Sequence, residues 1–112
     1  MKYASIFAAI LVLMAGVAEA ADPLIGNWKT EDGATASIAH CGAGYCITMK
    51  TGKYVGRKIG NFSGKDGAYA GQITDPKTNK TYNGTLKISG NSVKMQGCVM
   101  KVFCQSQTWT RL

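Results

Sequence analysis

Histidine, arginine and acid are all scarce in this 112-residue chain, and each shortage removes a class of chemistry. The single histidine, His40, has no acid or hydroxyl partner close in sequence, so it reads as a structural or surface residue and not as a general base. Six acids spread over the whole length form no pair suited to acid–base work. His40 stands beside Cys41, but no nucleophile set with a base and no glycine-rich phosphate loop can be named. Asp75, which precedes Pro76, reads as a turn opener. The expectation is a chain that is not an enzyme, holds no metal and needs no cofactor. Only Arg57 and Arg111 represent arginine, so the clustered arginine and exposed aromatics of a nucleic-acid surface are missing as well.

Long apolar stretches are equally rare. The one such run, Ile6 to Val17, follows a basic start at Lys2 and precedes the small residues Ala18 and Ala20. It is twelve residues long, whereas a spanning helix needs roughly 20, so residues 1–20 read as a secretory signal helix cleaved after Ala20 and not as a transmembrane anchor. No cysteine follows the run to receive a lipid. The expected product is a single domain, residues 21–112, delivered to the periplasm or beyond. Its charge stays at +7, since one lysine and one glutamate leave with the signal. Lysines 50, 53, 58, 65, 77, 80, 87, 94 and 101 are scattered, which is the pattern of a solvated face and also suits contact with an anionic envelope component.

What the chain does possess is four cysteines. A domain of about 92 residues hides only ~60 to 65% of its unfolded surface, so covalent reinforcement is expected, and an oxidising exterior permits it. Three pairings of Cys41, Cys46, Cys98 and Cys104 exist. The local one, Cys41 with Cys46 and Cys98 with Cys104, is favoured here, each closing a short loop worth roughly 2 kcal/mol. Zinc is the rival reading, but both spacings are wider than the usual knuckle.

Beyond the signal, strand-length runs recur every eight to twelve residues with turn chemistry between them, at Asp32-Gly33, Gly42-Ala43-Gly44, Thr51-Gly52, Gly64 to Gly67, Asp75-Pro76 and Gly90-Asn91. These predict eight strands over 24–30, 34–41, 45–50, 54–62, 68–74, 80–89, 92–98 and 104–112. Alternation assigns the faces: Tyr82, Gly84, Leu86 and Ile88 on one side, Thr81, Asn83, Thr85 and Lys87 on the other. With no helix to cover the buried face, the sheet must close on itself as a barrel or fold into a sandwich. Glycines 26, 56, 71, 84 and 97, read as lying inside strands, favour a small all-β, eight-stranded antiparallel up-and-down barrel over a sandwich. Such a barrel either keeps a cavity for a small apolar ligand or fills it with side chains. If a cavity exists, Tyr45, Ile47, Met49, Tyr69, Ile73, Tyr82, Leu86 and Met95 are its expected lining.

The two ends carry the most pointed pattern. Gly26-Asn27-Trp28 opens the domain and Trp109-Thr110-Arg111 closes it, so that Gly26, Trp28, Trp109 and Arg111 are expected at the barrel closure, with the Arg111 guanidinium on an indole. This resembles the G-x-W and terminal basic residue of lipocalins in the calycin superfamily. The whole chain, through Ile25 to Thr30, Cys41 and Cys46, Gly71 to Pro76, Thr81-Tyr82, Met95 to Cys98 and Gln107 to Arg111, is similar to a family of exported bacterial proteins called DUF2147. The resemblance implies a lipocalin-like barrel without an established reaction. Longer members continue past the second cysteine with a glycine and an Asp-Asn-Pro segment, where this chain has Ile47 and reaches Tyr54 within eight residues.

One apolar stretch falls in an expected connection: Val99, Met100, Lys101, Val102 and Phe103 between two cysteines. It reads equally as a lip that touches a ligand or partner and as a plug turned into the barrel. The leading expectation is a barrel that binds a small apolar or amphipathic molecule. The second is a filled barrel that meets an anionic envelope component or a protein. Nothing in the sequence bears on oligomeric state.

Overall fold

The computed structural model describes residues 22–99 and 103–112. The expected signal helix lies outside them, as do Met100, Lys101 and Val102. Eight strands follow one another: β1 Gly26–Lys29, β2 Thr35–Cys41, β3 Gly44–Met49, β4 Lys58–Lys65, β5 Ala68–Asp75, β6 Lys80–Ser89, β7 Ser92–Val99 and β8 Phe103–Arg111. Each pairs antiparallel with the next and β8 returns to β1, giving a closed up-and-down barrel. The alternation that assigned faces is the cause. Leu86, Val93, Met95, Tyr69, Ile73, Ile47, Ala36 and Ile38 all turn inward and are buried, and closing the sheet covers them without helices.

The fourth strand departs from expectation. It runs over Lys58–Lys65 and not 54–62, because Gly52 and Gly56 take positive φ and make the segment after Met49 a loop. Gly56 N–H donates to the Met49 carbonyl at 2.8 Å and Met49 N–H to that of Arg57 at 2.9 Å, which closes the loop on itself. Gly56 is therefore a turn glycine, not a strand glycine. At its other end β4 extends to Lys65, since Asp66 and Gly67, both at positive φ, form a two-residue hairpin turn that leaves Gly64 and Lys65 free to pair with Tyr69 and Ala68. A register shift between Ile47 and Thr48 joins β3 to β4. The cysteines pair locally, Cys41 with Cys46 and Cys98 with Cys104, so all four sulfurs are used in disulfides.

Closure rests on few backbone contacts. β1 and β8 share two residue pairs, Trp28 with Arg111 and Lys29 with Thr110. Side chains complete the seam: the Arg111 guanidinium lies 4.3 Å from the centre of the Trp28 ring and donates to the carbonyls of Pro23 and Ile25. Gly26 has φ +145°, and a Cβ there would stand 3.3 Å from an Arg111 nitrogen, so the glycine of the Gly-Asn-Trp triplet makes room for the arginine. A second close approach occurs at Gly71, where a Cβ would lie 2.0 Å from the Asn61 carbonyl oxygen.

Two substitutions test this account. Arg111→Leu keeps an apolar stem but removes the stacking and both carbonyl bonds, and urea unfolding should show a loss of about 1–3 kcal/mol. Gly71→Ala drives a methyl into backbone that cannot yield and should cost about 3 kcal/mol or more, read as a fall in the thermal midpoint by circular dichroism.

Candidate functional site: the open end of the barrel

The barrel interior is divided along its axis. One end, ringed by the β2–β3, β4–β5 and β6–β7 turns, is solid. Trp28, Phe62, Leu24, Ile38, Leu86 and Val93 are each at most 2% exposed there, and the segment from Asp22 to Ile25 crosses beneath them. Trp28 Nε1 donates to the Leu24 carbonyl at 3.1 Å, and the Tyr45 hydroxyl donates to the Asp22 carboxylate. Tyr45 is also packed edge-on against Tyr69, with ring centres 5.2 Å apart, while His40 stacks on its other side. The bond to Asp22, burial and the adjacent negative charge push the Tyr45 phenol up to about 12.

The opposite end is hollow. A cavity of about 730 Å³ opens there between the β1–β2 turn, the β3–β4 loop and the β5–β6 turn. Its deep wall is apolar: Met49, Ile59, Ile73, Tyr82, Met95 and Trp109. Gly97 in that wall has no side chain to fill the space. The rim is polar and carries both signs of charge, with Lys53 and Lys77 beside Asp32 and Asp75. The Thr30 hydroxyl beside Asp32, aided by the charge of Lys77, holds the Asp32 carboxyl below the usual carboxylate range. Arg57 fixes the rim by donating to Asn79 Oδ1 at 2.9 Å, and its guanidinium lies 6.0 Å from the Tyr54 ring centre. On β8 the Trp109 indole N–H donates to Gln107 Oε1 at 2.9 Å, so Gln107 holds the indole in the wall.

Of the eight residues expected to line a cavity, the structure brings Met49, Ile73, Tyr82 and Met95 together around this one. Tyr45, Ile47, Tyr69 and Leu86 face inward too but are buried in the packed half. Gly26, Trp28 and Arg111 meet at the seam as expected. Trp109, two residues along β8, contributes to the cavity wall. Sequence reasoning missed Ile59, which the displaced β4 carries inward, and the polar contributors Thr30, Gln105 and Gln107. Gln105 and Gln107 share the parity of Trp109 on β8, which was the available signal. His40 lies near the solid end, away from the cavity, and Asp75 accepts from the backbone N–H of Lys77 at 2.9 Å, which is turn chemistry. In the segment read as lip or plug, Phe103 is 69% exposed, and it borders a second depression with Lys80, Tyr82 and Val99. Among the described residues no group of three or more His, Cys, Asp or Glu side chains is placed to share a metal ion.

The structure is thus a single-chain antiparallel barrel, packed at one end and hollow at the other. The chain belongs to a family of bacterial proteins described as "Uncharacterized protein conserved in bacteria (DUF2147)", whose family model matches residues 49–111. That stretch supplies the apolar cavity wall from Met49 to Trp109, while Thr30 to Ala34 of the rim precede it. No curated protein and no solved structure matches the chain.

The packed end makes a prediction about alkali. A phenol whose folded pKa is raised holds its proton more tightly in the native state, so its contribution to stability is complete below about pH 10 and lost as pH rises through about 12. Tyr45→Phe should lower stability at pH 8, and the gap from the parent protein should narrow by pH 11.5. Urea midpoints measured across that range give the answer, and a constant gap would contradict it.

Proposed function

We propose that this is an exported, non-enzymatic binding protein of the bacterial periplasm, and that its barrel takes up one small amphipathic molecule. The observation that carries the reading is the half-filled interior. A small barrel has enough side-chain volume to close its core, and this one does so at one end while leaving about 730 Å³ at the other. The apolar part of a ligand would rest on Met49, Ile59, Ile73 and Met95, with its polar end among Thr30, Asp32, Lys53 and Lys77 at the rim. The apolar leader and two disulfides in a member of a bacterial family support export to an oxidising compartment.

Native mass spectrometry of protein purified from its own host should reveal a retained small molecule. Titration with a long-chain fatty acid or a hydrophobic fluorescent dye should saturate at one site. Ala34→Phe, which narrows the mouth, should weaken that binding about tenfold or more with the fold intact by circular dichroism. Uptake into an apolar pocket should change little between low and physiological salt. Steep weakening with salt would favour docking of the lysine-bearing exterior on an anionic surface, and a barrel that ignores both probes would refute the container reading.

A further inference from the structure

Among the described residues, no strand lies beside the outer edge of β8 over most of its length. β8 pairs with β7 from Phe103 to Thr110, yet with β1 only at Thr110 and Arg111. β1 stops at Lys29, and the turn that follows reaches back to β8 through Glu31, whose carboxylate accepts from the Thr108 N–H at 2.8 Å. Past that point, among the described residues, no strand lies beside Phe103 to Gln107, and all five are exposed.

Which backbone groups are free follows from alternation. Along a strand, successive residues turn their N–H and C=O to opposite sides. Leu112 N–H donates to the Asn27 carbonyl of β1 at 3.1 Å and Thr108 N–H turns the same way to Glu31, so Cys104 and Ser106 also face the open side. Glu31 has already taken the N–H of Thr108. Among the described residues, the groups left for pairing are therefore those of Cys104 and Ser106, spaced evenly about Gln105, and beyond them the carbonyl of Thr108.

Exposed edges are ordinarily blunted by lysine, proline or a bulge. Here Phe103-Cys104-Gln105-Ser106-Gln107-Thr108 has no charge and no proline, in a chain of net charge +7 with eleven lysines. The strip itself brings no lysine against its counterpart in a second copy, although Lys80 borders Phe103 and Gln105 from β6. The disulfide from Cys98 to Cys104 ties the strip to β7, so little chain freedom is lost when it docks.

We propose that this edge joins two copies of the chain into a two-fold dimer in which β8 pairs antiparallel with β8, centred on Gln105. Cys104 then pairs with Ser106 of the partner subunit and Ser106 with the partner's Cys104, an isologous contact with four backbone hydrogen bonds. Gln105 faces the partner's Gln105 as a non-hydrogen-bonded pair, with Cα atoms about 4.5 Å apart. Because Gln105 also lines the cavity, the two rims meet near the two-fold axis, with the mouths opening in opposite directions.

Sedimentation equilibrium on the mature chain, up to about 1 mM, should show a reversible dimer. Gln105→Lys sets like charges directly opposite and should weaken it at least about tenfold, while the thermal midpoint stays within a degree or two because the position is exposed. Gln105→Cys, oxidised mildly, should give a covalent dimer, with non-reducing peptide mapping placing the cross-link between the two substituted positions. A chain that remains monomeric throughout overturns the proposal. So does a dimer that Gln105→Lys leaves unchanged and Gln105→Cys fails to link, since another surface would then be responsible.

Discussion

The contact between the Arg111 guanidinium and the Trp28 indole is what the barrel depends on. Every other neighbouring pair of strands is held by a ladder of at least four residue pairs, but β1 and β8 share two. A seam that short would open if backbone bonds were its whole support. Arg111 adds a stacked cation on a fully buried ring and two bonds to carbonyls of the segment before β1, which the four-residue strand leaves without ladder partners. One side chain thus closes the ring and anchors the chain that crosses beneath it. A lysine would supply the charge without the flat, forked geometry that serves both tasks.

That closure also explains why the interior is uneven. Trp28 brings the largest fully buried side chain to the end where the seam is paired, and Leu24, Phe62 and Leu86 pack against the same half. Toward the other end β1 has already stopped, no bulky side chain arrives from it, and Thr30 and Ala34 stand where a core residue would. The hollow and the unpaired edge of β8 have one origin, a first strand of four residues in a barrel whose sixth has ten.

Much of this was legible in the residues. The alternation of Tyr82, Gly84, Leu86 and Ile88 against Thr81, Asn83, Thr85 and Lys87 fixes which face turns inward, and it does so regardless of how strands are staggered. Height along the barrel is another matter. Whether an inward residue lands in the packed half or the cavity depends on register, which turn lengths and bulges set jointly across all eight strands. So Tyr69 and Ile73, on one face of one strand, separate into core and cavity wall. The fourth strand shows a second limit. Residues 54–57 have strand-like composition in part, but Gly52 and Gly56 at positive φ, with backbone bonds to Met49, make a loop more favourable than pairing.

A hollow end in a small barrel is held by less packing than a filled one and gains from other constraints. Hydrophobic burial stabilises the half that contains Trp28 and Phe62 and reaches the apolar wall of the cavity through Met95 and Trp109, but it offers little to the polar rim of Asp32, Lys53 and Lys77. The packed end has tethers of its own, in the Cys41–Cys46 disulfide and the bonds of Arg111, and the hollow end has a separate set. Cys98 with Cys104 locks β7 to β8 beside the free edge, Arg57 ties the β3–β4 loop to the β5–β6 turn, and Glu31 caps β8 where β1 runs out. Each of these fixes backbone without occupying the interior. A core built from more leucine would stabilise the same end only by removing the space, so the use of tethers in place of side-chain volume is what keeps the cavity compatible with a folded domain of this size.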